Sequence, residues 1–386
     1  MWKRFKDRLR CPLCGNNLQL DIMDESTQDI EQRWKDVAVH EGIDPGNLNQ
    51  WVETGIFLCD PCHTWYPVTE GLPVMLPYAT EDHKRFRLEN KNNLSSLGKD
   101  FHPPDQEPPP GEEFVRKTFS AEWNDYSYDD ILWTWSYEER ERIFMEETGI
   151  NDSESDMRGT FIEIGCGLGV VTSFAQKHFK SDAVGMDISA AVMKANLHFR
   201  NNPFLHFVRA SLWRLPFEEE TFDVVYSHGV IHHTYSTEKA FKKIASLCSE
   251  NGLLYLWIYG QGSIKDSLIR RSAYLCESLV RPLLARMPPG LSMIFLLPVS
   301  IAYMAANRIQ RLTGQKRQPY DFRRALHAAR DRFTPLYAHR ANYPEVEKWF
   351  KEAGFYNLDR VRYENMSPGI SDTFRRNIGL RGIKKR

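Results

Sequence analysis

Four sets of side chains along the 386 residues have the types and spacing to do chemistry. Cys11-Pro12-Leu13-Cys14 and Cys59-Asp60-Pro61-Cys62 are two Cys-x-x-Cys pairs set in turn-forming sequence. A single pair of this kind suits redox exchange, whereas two pairs in one short segment point to four thiolates around a tetrahedral zinc ion. With every position filled by protein, that ion is structural and not catalytic. The stretch Glu163-Ile164-Gly165-Cys166-Gly167-Leu168-Gly169 places three glycines where a strand turns into a helix, so no side chain keeps a ligand from the backbone. Asp187, ending the next apolar stretch, has the carboxylate needed to accept both hydroxyls of a ribose. His228, His232 and His233 fall in Ser227-His228-Gly229-Val230-Ile231-His232-His233-Thr234-Tyr235, and imidazole suits proton removal near neutral pH.

The elements that position these groups alternate. Periodicity predicts strands over 160–164, 183–186, 205–209, 222–227 and 253–259, with helices over 171–178, 190–201 and 237–248. Strands interleaved with helices imply an α/β fold, a Rossmann-like parallel sheet with helices on both faces and its ligands at the carboxyl edge. The cysteine segment, 1–78, is too small to hold itself together by apolar burial and needs the metal. Residues 79–115, ending in the proline-rich run from His102 to Gly111, read as an extended linker. The core then spans 116–262, a helical lid 263–340, and a closing helix with a strand pair 341–386. No secretory signal is evident behind the basic start Met1-Trp2-Lys3-Arg4, which leads to a cytoplasmic expectation. The apolar run from Leu291 to Ala302 is short and interrupted by Pro298, so no transmembrane segment is expected.

Leu215-Pro216-Phe217 and Phe222-Asp223-Val224-Val225 follow the glycine loop and Asp187 in order. Residues 161–259 thereby resemble the class I S-adenosylmethionine-dependent methyltransferases, in particular the small-molecule branch that includes the ubiquinone-biosynthesis enzymes. The resemblance implies S-adenosylmethionine as cofactor, held by Glu163, Gly165, Gly167, Gly169, Asp187, Leu212 and Ser227. Where the family often has an Asp for the adenine amino group, this chain has Ser211, whose hydroxyl can accept the same hydrogen bond. A nicotinamide-binding Rossmann fold also uses glycines and an acid, and stands as the alternative. Methyl transfer to oxygen or nitrogen is an in-line displacement that needs a base. The candidates are His232 or His233, with His228 as a third and Tyr259 at the rim.

The cysteine segment, through Cys11-Pro12-Leu13-Cys14-Gly15 and Gly71-Leu72-Pro73-Val74-Met75-Leu76-Pro77, resembles the zinc-ribbon activator subunit of tRNA, rRNA and protein methyltransferases, here fused in cis. In the lid, Arg281, Arg286, Arg308, Arg311, Arg323 and Arg324 outnumber the acids, among them Asp266, Glu277 and Asp321. Beside apolar runs, such charge suits an interfacial helix pair near anionic lipid, a pocket for a phosphate-bearing acceptor, RNA, or a merely solvated face. The passage from His327 to Arg340 resembles the lid of sugar and natural-product methyltransferases and implies acceptor contacts at His327, Arg330, Tyr337 and His339. The net charge of −1 excludes a uniformly basic nucleic-acid binder. Three functions follow as expectations: a methyltransferase for a small-molecule, glycan or lipid-linked acceptor with peripheral membrane contact; a tRNA or rRNA methyltransferase; and a non-catalytic adaptor that senses cofactor.

Overall fold

Short apolar runs buried on both faces make the centre of the molecule. Strands β7 (Phe161–Ile164), β8 (Ala183–Asp187) and β9 (Leu205–Ala210) are buried at every position, which is the pattern of a parallel sheet covered on both sides. The structure is a computed structural model that describes all residues except 97–100, 125, 127, 129–130, 133–134, 151–158, 262–267, 313–318, 320, 364–365, 367–373, 375 and 386. The expected start of the lid and Asp266 lie outside the described residues.

Eleven strands form one sheet in the order β1-β2-β3-β4-β9-β8-β7-β10-β11-β13-β12. Here β1 is Gln19–Thr27, β2 Gln50–Cys59, β3 Thr64–Thr69, β4 Leu72–Met75, β10 Phe222–His228, β11 Cys248–Ile258, β12 Phe355–Arg360 and β13 Ile378–Lys384. A two-stranded hairpin, β5 (Ile131–Leu132) and β6 (Trp135–Ser136), stands apart. The strands from β4 to β11 in that order run parallel, with Val225 opposite Ile162, Ile162 opposite Val184 and Val184 opposite His206. From β7 the chain builds outward through β8 and β9, then returns to the other side of β7 for β10 and β11. That reversal opens a crevice beyond the carboxyl ends of β7 and β10.

Alternate strand residues feed two cores. Ile162, Val184, Val208, Val225 and Leu254 pack with helix α8 (Thr237–Ala245), helix α12 (Tyr343–Glu352) and the N-terminal segment. Phe161, Ala183, Phe207, Val224 and Tyr226 pack with α5 (Tyr137–Thr148), α6 (Val170–Phe179) and α7 (Ala191–His198). Helix α5 starts at a reciprocal Ser136/Glu139 capping box and stops at Gly149 in the left-handed region.

The cysteine-bearing segment is joined to the central sheet, because β4 pairs in parallel with β9 through Val74 and Arg209, and Met75 and Ala210. A 3₁₀ turn, Lys3–Arg8, lies over the same sheet, where Phe5 stacks on His206 at 4.5 Å and Arg4 pairs with buried Asp182. Helix α1 (Gln32–His40) fills the connection between β1 and β2. The expected linker differs from a free spacer: it contains α2 (Glu81–Glu89) and α3 (Lys91–Ser96), and Glu112 opens α4 (Glu112–Asn124). Its prolines are extended but pinned, with the His102 carbonyl accepting from Trp65 N at 3.1 Å and Pro77 O from Gln106 N at 3.2 Å.

The lid comprises α9 (Leu268–Arg286), α10 (Pro289–Leu312) and α11 (Phe322–Phe333). Residues Gly290–Leu312 of α10, a longer stretch than the apolar run read from sequence, are long and apolar enough to cross a membrane by length and composition alone. The helix carries Pro298 inside it and continues beyond Ala302 through Tyr303 to Leu312. Chain and core meet again where Gly260 bridges to Ala341.

Candidate active site

The glycine loop leaves β7 and reaches α6 with Gly165, Gly167 and Gly169 at φ of 80°, 52° and 72°. A Cβ at Gly165 would meet Val230 Cγ2 at 2.2 Å, and one at Gly169 would meet Phe207 Cε1 at 2.5 Å. These two glycines let the loop sit tightly on its neighbours. Gly167 faces the Trp123 ring, 3.2 Å from a built Cβ. Both oxygens of Asp187 already accept a backbone N–H, from Gly167 and from Ser189, each at 2.7 Å. Asp187 lines the cavity beside the loop. Glu163, buried at the end of β7, accepts the Thr172 hydroxyl at 2.5 Å; burial pushes its carboxyl up to about 8.

That cavity, about 820 Å³, fills the crevice expected from the strand order. Glu163, Gly165, Asp187 and Leu212 line its inner wall, with Cys166 and Leu168 between the glycines. Ser211 is fully buried, and its hydroxyl donates to Glu112 at 2.7 Å. Tyr78 donates to the other oxygen of Glu112 at 2.9 Å, and burial pushes this cavity-lining carboxyl up to about 7. Ser227, an expected cofactor contact, is instead buried with its hydroxyl on the Ile164 carbonyl at 3.4 Å, outside the cavity lining. Its place in β10 turns it under the loop.

The three histidines have different surroundings. His232 is fully buried, and neither ring nitrogen has a hydrogen-bond partner among the described residues. Burial holds it neutral, and it packs on His233 and Tyr259 at 4.1 Å without lining the cavity. His233 lines the cavity; its Nδ1 lies 2.8 Å from the Tyr337 carbonyl, an acceptor that requires a proton there. In the neutral ring, favoured by burial, Nε2 is then the unprotonated nitrogen, 3.9 Å from Asp331 Oδ1. Asp331 also accepts the Tyr259 hydroxyl, and both residues line the cavity. His228 stacks on Trp257 at 4.5 Å, with Nδ1 3.0 Å from buried Glu147. Glu147 in turn accepts the hydroxyls of Tyr255 at 2.8 Å, Tyr363 at 3.0 Å and Tyr226.

From the lid, His327 and Tyr337 line the cavity, and His327 Nδ1 lies 3.0 Å from buried Glu122. Arg330 and His339 do not line it. Arg330 is turned to the neighbouring helix, its Nη2 3.8 Å from Met293 Sδ, because α11 presents Arg324, His327, Ala328 and Asp331 inward. His339 borders a separate cavity of about 270 Å³ with Arg340 and Trp349. The outer wall of the main cavity is cationic, with Arg311, Arg324, Arg332, Arg340 and Arg376 among its residues. The residues unforeseen from sequence are chiefly Glu112, Val115, Phe119 and Trp123 of α4, whose helical spacing places all four on the cavity side.

On the β1–β3 flank of the sheet, the four cysteine sulfurs of Cys11, Cys14, Cys59 and Cys62 lie within 4.8 Å of one another. Cys14 and Cys59 are 3.5 Å apart and Cys11 and Cys62 4.0 Å, against roughly 3.8 Å for sulfurs on a tetrahedral zinc ion.

The sheet order and the acid-flanked glycine loop define a Rossmann-like methyltransferase fold. Residues 162–256 match the family described as Methyltransferase domain. Over 128 residues the chain is 27% identical to phosphoethanolamine N-methyltransferase 2 of Caenorhabditis elegans, covering 31% of this chain and 29% of that protein. Over 110 residues it is 29% identical to malonyl-[acyl-carrier protein] O-methyltransferase of Legionella pneumophila, covering 27% of this chain and 38% of that protein. The matches thus span well under half of either relative's length. Magnesium protoporphyrin IX methyltransferase from Synechocystis PCC 6803, solved with bound SAH, aligns over 71% of this chain and 100% of its own at 14% identity and a TM-score of 0.41.

Proposed function

We propose that the chain is an S-adenosylmethionine-dependent methyltransferase acting on oxygen or nitrogen of a small, sugar-containing or lipid-linked acceptor that carries an anionic group. One observation carries this reading: Asp187 and His233, the latter held at Nδ1 by the Tyr337 carbonyl, line the same cavity at the switch point of the sheet. The donor set fits the cofactor. Asp187 suits a ribose diol, Glu163 an ammonium, and Glu112 the adenine edge beside Ser211. The cofactor, when bound, supplies an electrophilic methyl group.

The chain's own residues do the rest. His233 takes the proton of the attacking acceptor at Nε2, while the Tyr337 carbonyl holds its tautomer. Asp331, itself fixed by Tyr259, favours the imidazolium that forms. Arg324 and Arg332 bring positive charge to the wall where an anionic acceptor enters. We also infer that Cys11, Cys14, Cys59 and Cys62 hold a structural zinc ion, because no other donors in the described structure have this arrangement.

Incubating methyl-labelled cofactor with host lysate, before and after ribonuclease, tests the acceptor class. Label in the small-molecule or lipid extract, insensitive to ribonuclease, supports the proposal. Label removed by ribonuclease overturns it in favour of RNA.

A further inference from the structure

Helix α10 is amphipathic in the inverted sense. The row facing the protein is Ser292, Leu296, Ser300 and Asn307, all buried, while Ile294 and Ile301 are each 62% exposed and Phe295 50%. Helix α9 repeats the pattern one helix over, with Leu279 66% and Leu283 64% exposed and Leu275 on the same i, i+4 row. A soluble monomer seldom shows so continuous an apolar surface. The charge around it is one-sided. Helix α10 contains no acidic residue, and the single acid of α9, Glu277, is buried against Arg281 and Arg340. Arg286 and Arg308 are exposed at the fringe.

The same helix also builds the active site, since Asn307 and Arg311 stand in the wall of the 820 Å³ cavity. We propose that the outer face of α9 and α10 docks on an anionic lipid surface, so that the cavity mouth lies at the headgroup layer and receives an amphiphilic acceptor with an anionic head. The docking stands on the face alone, and the nature of the acceptor rests on the methyltransferase reading. A bilayer supplies both apolar depth for the leucine and isoleucine rows and negative charge for the arginines. A second copy of the chain would set Arg286 and Arg308 against their own like charges. Because the row Ser292, Leu296, Ser300 and Asn307 is packed against the protein along the helix, the placement is in the plane of the interface and not across it.

Flotation of the full chain with vesicles of phosphatidylcholine, with and without phosphatidylglycerol, tests this. The chain is expected to float with the anionic vesicles, and the exposed substitutions Leu279→Asp with Ile301→Asp to cut the bound fraction about tenfold or more. Arg286→Glu with Arg308→Glu should remove the preference for anionic lipid. Cofactor binding by calorimetry should be unchanged in all of them. A chain that floats yet binds no cofactor would sink the methyltransferase reading and leave the docking intact. The docking is overturned by wild-type chain that stays with the pellet on every vesicle, by variants that float as well as wild type, by a dimer that the aspartate pair dissolves, or by resistance to alkaline extraction, which marks a spanning helix.

Discussion

Glu163→Gln should change the number of protons released when cofactor binds. Burial holds the Glu163 carboxyl at about 8 in the free protein. At pH 7 such a group is about nine-tenths protonated, and at pH 9 about one-tenth. An ammonium placed beside it favours the ionised form, so binding expels the proton. The wild type should therefore release ~0.9 more protons per cofactor at pH 7 than Glu163→Gln does, and only ~0.1 more at pH 9. Glu112, pushed up to about 7, stays in both proteins and cancels in the difference. Isothermal calorimetry in two buffers of different ionisation enthalpy reads the proton count directly. The same raised value has a consequence for folding: the unfolded carboxyl ionises near 4.3 while the folded one keeps its proton to about 8, so stability falls as pH rises through that window. Glu163→Gln should flatten that slope. Equal proton release by both proteins at pH 7 would refute the assignment of Glu163 to the ammonium.

Replacing His233 by Gln should lower turnover about a hundredfold or more with cofactor affinity unchanged, whereas His232→Gln should reduce thermal stability and leave turnover within about tenfold; the opposite ranking would move the base to His232. Gly165→Ala should lower stability by about 1–3 kcal/mol, since the new methyl meets Val230 at 2.2 Å from a backbone at φ 80°, and Val230→Ala should restore part of it; thermal unfolding of both variants decides. Metal analysis of the intact chain should find stoichiometric zinc, and Cys59→Ser should lose it together with several degrees of melting temperature; a Cys59 variant of normal stability would count against a metal in that cluster.

The central strands and the loop were readable from sequence because burial on both faces leaves a continuous apolar run ending at glycines, and Asp187 ends the next such run. Outside that region the period of the pattern was present but its partner was not. Helix α4 carries Glu112, Val115, Phe119 and Trp123 at helical spacing, yet only the folded sheet shows that this stripe lines the same cavity as the glycine loop. Ser211 stands where the sequence pattern suggested an adenine contact; the carboxylate beside it comes from Glu112, on a segment that the proline run made look like a spacer. The two histidines of the 232–233 pair differ only by rotation about the short 3₁₀ turn Ile231–His233, which no linear pattern resolves. Arg330 and Asp331 are neighbours on α11 for which the same holds: of the two, only Asp331 lines the cavity, while Arg330 Nη2 lies 3.8 Å from Met293 Sδ of α10. The attachment of the N-terminal segment through β4 and β9 is a long-range parallel pairing, and such pairings leave no local signature.

The most direct test is calorimetric titration of the whole chain with S-adenosylmethionine and, separately, with NADH. Saturable binding of S-adenosylmethionine that Asp187→Ala abolishes, with no heat from NADH, is the predicted result; binding of NADH in its place, or undiminished S-adenosylmethionine binding in Asp187→Ala, would contradict it.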